Sequence, residues 1–242
     1  MSGRRLIREA ERRGGGEHPI RFLRGTVPGP PFRSGVSLAL LAGGQSTRMG
    51  EDKAFAPFRG GTLLEWMRNR FAQLFPYAFV VAREPARFHH LGLPVVTDAL
   101  SESGSVVGVY TAVLAAPTER VLCLACDMPF VTPRFLWELA DRSEGLDVLV
   151  PRHGDYVEPL CAVYGKRTLD PYRQLITSGG RRLIGIYADV RTGYLDIDDG
   201  RHGDPDELFM NLNTPAELQA ATAGWLLRER AGASPSSPLR TS

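Results

Sequence analysis

Val36-Ser37-Leu38-Ala39-Leu40-Leu41-Ala42 runs directly into Gly43-Gly44-Gln45-Ser46-Thr47-Arg48-Met49-Gly50-Glu51-Asp52-Lys53. The first stretch is apolar apart from one serine and is bounded by glycine, which predicts a strand buried on both faces. Two adjacent glycines after such a strand let the backbone turn sharply and approach a ligand closely. Successive backbone amides in the loop then form a concavity that binds anions. Arg48 and Lys53 add positive charge, and Ser46 and Thr47 add hydroxyl donors, a set that suits a triphosphate. The alternative is a glycine turn with incidental charges. Two known phosphate loops are excluded. A Walker A loop needs four residues between its glycines and a Lys after the second, whereas Gly44 and Gly50 enclose five and Glu51 follows. A dinucleotide fingerprint needs G-x-G-x-x-G, and here the first glycines are adjacent.

Outward from this segment, strand and helix patterns alternate. Strands are expected at Ala78 to Val81, Pro94 to Thr97, Val121 to Cys126, Asp147 to Val150 and Leu160 to Tyr164. Helices are expected at Thr62 to Phe75, Val106 to Ala116, Thr132 to Ala140, Lys166 to Ile176 and from Thr214 to about Arg228. Thr132 and Pro133 read as the cap and first position of their helix. Continuous apolar strands with helical crossovers imply an α/β fold with a mostly parallel central sheet covered on both faces. In such a sheet ligands bind beyond the carboxyl ends of the strands.

The strongest candidate for chemistry lies there. Val121-Leu122-Cys123-Leu124-Ala125-Cys126 leads straight into Asp127-Met128-Pro129-Phe130. Magnesium takes hard oxygen donors, commonly one or two carboxylates plus substrate phosphates, so Asp127 can hold it against a triphosphate. A helix cap is the competing role, but Thr132 fills that better. Cys123 and Cys126 form a C-x-x-C within a strand, where residues three apart point to opposite faces. They read as buried filler, not as a redox or zinc pair. Asp98, after a short strand, is a pocket residue or a turn residue. Gly179-Gly180-Arg181-Arg182 is a basic turn that either binds phosphate or faces solvent. No histidine is assigned a role.

The 242 residues are 43% apolar and carry a formal net charge of +2. Residues 1–35 hold eight Arg and three Glu, so the remainder of the chain carries −3. The basic balance therefore belongs to the tail, and no nucleic-acid partner is implied, because the body lacks both a basic face and a recognisable module. No apolar run approaches the ~20 residues that span a bilayer, so no membrane partner is implied either. Three cysteines make no disulfide framework, and a reducing cytoplasm is the simplest compartment. Residues 1–34 are expected to be a basic disordered extension, 35–229 the folded domain, and 230–242 a second disordered tail.

L-A-G-G-x-S-x-R-M-G-x-D-K is a long pattern. It resembles the signature loop of the sugar-nucleotide-type nucleotidyltransferases and, most closely, of the molybdenum cofactor guanylyltransferases. The double glycine favours that branch over cytidylyltransferase relatives, which have L-A-A-G. Cys126-Asp127-Met128-Pro129-Phe130 also resembles the family's metal motif, and Asn211-Leu212-Asn213-Thr214-Pro215-Ala216-Glu217-Leu218 its N-x-N-T-P-x-[DE]-L segment. The likeness covers about Val36 to Gln219.

The resemblance implies a three-layer Rossmann-like nucleotidyltransferase fold. It implies that Leu41, Ala42, Gly43 and Gly44 line the nucleotide, that Lys53 contacts phosphate, and that Asp98 lines the nucleotide pocket. By the same likeness Asp127 and Asn213 hold Mg²⁺, and Glu158-Pro159-Leu160 precedes a strand facing the acceptor. Lys53, Arg48 and Asp127 are then the catalytic set. GTP and molybdopterin are the implied substrates, in a monomer whose product passes to a molybdoenzyme or a chaperone. The alternatives are CTP or another NTP with molybdopterin or a sugar phosphate, or a binding partner without turnover. The chain departs from the family in two places. Gly104-Ser105-Val106-Val107-Gly108 stands for G-P-L-x-G, and Ala82-Arg83-Glu84 lacks the Asn found near the base in many relatives.

Overall fold

The computed structural model describes residues 35–42, 53–100, 102, 104–197 and 200–230. The expected extensions at 1–34 and 230–242 lie outside the described residues, apart from Arg230, which ends the last helix, and so do Gly43, Gly44 and Arg48.

β1 (Val36–Leu41) lies in the interior of the sheet. It pairs in parallel with β4 (Ala78–Ala82), Leu38 opposite Ala78, and with β6 (Arg120–Ala125), Leu41 opposite Ala125. β5 (Val95–Thr97) extends the sheet beyond β4, also in parallel. On the other side β9 (Cys161–Gly165) joins β6 antiparallel and brings Cys161 opposite Leu124. β7 (Val148–His153) is antiparallel to β9, and β10 (Thr192–Asp196) is parallel to β7. The order across the sheet is β10-β7-β9-β6-β1-β4-β5, with β8 (Tyr156–Val157) folded back on β7. The mostly parallel sheet is as expected. β10 is an addition to that expectation. It is an edge strand with a single fully buried residue, Leu195, and so lacks the continuous apolar signature of the central strands.

Alternation along the strands separates two cores. Leu38, Leu40 and Ala42 pack with Leu64, Met67 and Phe71 of α1 (Leu63–Phe71) and with Phe135, Leu136 and Leu139 of α3 (Pro133–Arg142). Ala39, Phe79, Val121 and Cys123 face the opposite layer, with Val106, Val109, Tyr110 and Val113 of α2 (Ser105–Ala115) and Tyr172 of α4 (Leu169–Thr177). The layers are helix, sheet, helix. Cys123 and Cys126 fall in opposite cores, as their spacing requires, and all three cysteines are buried and free.

Two helices differ from their expected spans. α1 stops at Phe71 and continues as a 3-10 turn, Ala72–Leu74. Pro76 follows, and it drives Phe75 into extended backbone. At the other end Thr62 and Glu65 form a capping box. The expected helix from Lys166 opens with a 3-10 turn, Lys166–Thr168, before α4. Lys166 is used elsewhere. Its ammonium donates to the carbonyls of Val113 (2.6 Å), Leu114 (3.2 Å) and Ala116 (2.8 Å) at the end of α2. These acceptors have no partner within their own helix. Lys166→Met is expected to lower unfolding stability by about 2 kcal/mol, since the carbonyls keep their burial and lose their donor. Urea unfolding checks this.

The parallel strands all end on one edge of the sheet. Because β9 runs the other way, its entrance lies on that same edge. The segments after Leu41, Ala82, Thr97 and Ala125, and the one before Cys161, therefore share a rim. Among the described residues no helix is long and apolar enough to cross a membrane.

Candidate active site

Asp127 stands at the rim just past β6. Cys126 N–H donates to Leu41 O (3.2 Å) and Ala42 N–H to Val81 O (2.9 Å), so the ends of β1, β4 and β6 are stitched together. This puts the apolar Leu41–Ala42 edge beside Asp127. Lys53 opens a 3-10 turn, Lys53–Phe55, whose Ala54 is fully buried. Its ammonium donates to Asp127 Oδ2 at 3.3 Å and also to Asn213 Oδ1. The three residues, 74 and 160 positions apart from Lys53, thus meet at one point.

Tertiary packing makes that meeting possible. After Lys53 the chain forms a small hairpin, β2 (Pro57–Phe58) and β3 (Gly61–Thr62). Ala56, Phe58 and Leu63 pack there against Leu212 and Leu218 in a separate apolar cluster. Leu212 N–H also donates to Asp127 O at 3.0 Å. Leu212 is thus anchored on both sides, and Asn213 follows it into the site.

Asn213 is held by the start of α5 (Pro215–Arg230). Glu217 Oε2 accepts from the backbone N–H groups of Asn213 (2.6 Å) and Thr214 (3.0 Å), while Thr214 Oγ1 accepts from Glu217 N–H (3.2 Å). This is a capping box. The Asn213 side-chain amide donates to Asn211 O at 3.3 Å, which turns its oxygen toward Lys53. Glu217 is a supporting residue to which the sequence reading assigned no role. The T-x-x-E spacing at a helix start was the signal for it.

Glu158 comes to the same rim through the reversed strand. Ala125 N–H donates to Leu160 O (2.8 Å), and Leu160 N–H donates to Glu158 Oε1 (3.2 Å). Burial pushes the Glu158 carboxyl up to about 7, and the nearby charge of Asp127 adds to the rise, against the Leu160 amide. An acid with a raised value keeps a proton in the folded state that the unfolded chain has released. Its cost is absent below about 4.5, grows as pH rises toward 7, and is fully present above that. Glu158→Gln is therefore expected to be more stable than the parent at pH 8 and equal to it at pH 4. Urea melts at the two pH values check this, and an equal gain at both would refute it.

Asp98 follows β5, two strands beyond β1, so it lies at the far end of the rim from Asp127. Burial raises its carboxyl, and Arg83 opposes the rise. Ala99 N–H donates to Thr111 Oγ1 (2.9 Å), tying this strand end to α2. In the departing segment Val106 and Val107 are core residues, while a side chain at Gly108 would meet open space. Arg181 and Arg182 are exposed.

Asp127 Oδ2 and Asn213 Oδ1 are hard donors already converging on a cation, the Lys53 ammonium, so the donor set suits a magnesium ion completed by substrate oxygens. Among the described residues no group of three His, Cys, Asp or Glu gathers to hold a metal without such substrate oxygens.

Known proteins resemble this chain in sequence and in fold. The pattern of the family described as "MobA-like NTP transferase domain" matches residues 38–191. A "Probable molybdenum cofactor guanylyltransferase" of Pelotomaculum thermopropionicum is 32% identical over 183 residues, covering 75% of this chain and 89% of its own. The crystal structure of molybdopterin-guanine dinucleotide biosynthesis protein A from Archaeoglobus fulgidus superposes with a TM-score of 0.68 at 28% identity, covering 79% of this chain and 99% of that one. A CMP:2-keto-3-deoxy-manno-octonic acid synthetase solved with CTP has a TM-score of 0.63 at 14% identity over 81% of this chain and 100% of its own, a likeness of fold alone.

Proposed function

The chain belongs to the MobA-like NTP transferase family, and from that membership we propose that it transfers GMP from GTP to molybdenum-molybdopterin, forming molybdopterin guanine dinucleotide and releasing pyrophosphate. The observation that carries this reading is the convergence of Lys53, Asp127 and Asn213 at the rim of the sheet. Relatives at about this distance carry the guanylyltransferase name.

A terminal phosphate oxygen of the acceptor attacks the α-phosphorus in line. The bond to the pyrophosphate oxygen breaks, and pyrophosphate carries the electron pair away. A phosphate monoester loses its second proton near pH 6, so the attacking oxygen needs no general base. The work left to the protein is positioning and charge neutralisation. Leu41 and Ala42 supply an apolar floor, with Asp98 at the far end of the pocket. Lys53 donates to phosphate oxygens as charge moves onto the leaving group. Arg48 and the amides of Gly43 and Gly44 join it in this proposal. Asp127 and Asn213 would hold Mg²⁺, which would supply further neutralisation of the triphosphate. The compartment is the cytoplasm, the protein acts as a monomer, and a molybdoenzyme or its chaperone receives the product.

The test is pyrophosphate release with Mg²⁺, molybdopterin and each of GTP, CTP, ATP and UTP. Release with GTP alone is expected. Release with CTP alone would overturn the donor, and release with none would overturn the reaction.

A further inference from the structure

In this structure a cation of the chain itself occupies the seat between Asp127 and Asn213. The Lys53 ammonium donates to Oδ2 of Asp127 and to Oδ1 of Asn213. The Lys53 and Asp127 side chains are 20% and 21% exposed, so water screens the pair only in part. The seat is built before any ligand arrives. Leu212 N–H on Asp127 O fixes the approach of the two segments, and Asn211 and Glu217 fix the amide with its oxygen inward. Two oxygens so placed attract any cation. An ammonium and a divalent ion repel at such range and cannot share them.

We propose that Lys53 is the resident cation of the Asp127–Asn213 seat, that a divalent ion must compete with it there, and that nucleotide phosphates, by drawing Lys53 away, favour the metal, so that metal and nucleotide bind as a coupled pair. This rests on the nucleotidyltransferase reading. Without nucleotide, Lys53 neutralises Asp127, while apolar packing keeps the hairpin after the 3-10 turn docked on the Asn213 segment. A triphosphate offers the ammonium more negative charge than Asp127 does, and its departure frees both oxygens. The coupling is reciprocal: whatever metal does for nucleotide affinity, nucleotide does for metal affinity.

The experiment titrates the full chain with Mn²⁺ alone and reads free Mn²⁺ by its electron paramagnetic resonance signal. Lys53→Met is expected to bind Mn²⁺ roughly tenfold more tightly than the parent, the scale of one partly buried ion pair removed from competition. Lys53→Gln should match it, because the competition is one of charge. Asp127→Asn should remove the binding in every background. Equal Mn²⁺ affinity in the parent and both Lys53 variants, still dependent on Asp127, would overturn the inference and leave nucleotidyl transfer standing. Binding indifferent to Asp127→Asn would overturn the seat itself. Pyrophosphate release reports on the reaction separately.

Discussion

Asp127→Ala is expected to lower pyrophosphate release by about three orders of magnitude or more while leaving the fold intact, the scale of losing a dedicated electrostatic group at the reacting phosphate. The chemistry proposed here has no proton-transfer step that another residue can take over. It depends on a carboxylate to hold the cation against the triphosphate, and Asn213 supplies only a neutral oxygen. Structural damage is a weak alternative, because among the described residues the carboxylate bonds to the Lys53 ammonium and not to the backbone. The backbone carbonyl of Asp127 accepts from Leu212, a bond that survives the substitution. The carboxylate also stands close enough to Glu158 to raise the latter's value, so its removal relieves a repulsion. Stability is expected to stay level or rise while turnover collapses, the pattern of a group kept for function. Steady-state turnover with a thermal melt checks both halves, and near-normal turnover would sink the assignment.

Lys53→Met is expected to cost two to three orders of magnitude in kcat/KM, about the effect of one missing donor at a developing charge. Methionine keeps the length and the apolar stem, so the 3-10 turn and the buried Ala54 remain in place. What is lost is one positive charge that serves two partners in turn. The same variant is expected to hold Mn²⁺ more tightly without nucleotide, so affinity for metal and rate move in opposite directions. A variant damaged only in its folding would lose both. Lys53→Arg is not expected to restore the rate, because a planar fork does not reproduce a compact point charge between two fixed oxygens. A loss below tenfold in Lys53→Met would remove Lys53 from the catalytic set.

Much of this site could be read before any fold was known. The central strands announce themselves because they are buried on both faces, and such strands must be apolar at every position. Asp127 follows from β6 by adjacency alone. A carboxylate one step past a buried strand stands at the rim where ligands bind. Lys53 is legible as a charge that follows the glycine loop and Asn213 by likeness to a known motif, with no physical link between them visible along the chain.

Other features left no such trace. β10 satisfies its backbone on one side only and shows solvent most of its side chains, so its composition resembles that of a loop. Glu158 reads as a polar residue before a proline. Its raised carboxyl comes from β9 running antiparallel to β6, which buries it beside Asp127. Glu217 reads as a helix-start acid, and its hold on Asn213 appears once both are docked.

Local pattern was therefore sufficient for the central strands, their two-sided cover and Asp127 at the rim, because burial and backbone pairing act over a few neighbouring positions. The convergence of Lys53, Asp127 and Asn213 across 160 residues, and the seat they form, came from packing. Strand order sets which loops share an edge, and the cluster of Phe58, Leu63, Leu212 and Leu218 closes the remaining distance. Contacts of that kind are made by folding the whole chain, and no stretch of residues carries them alone.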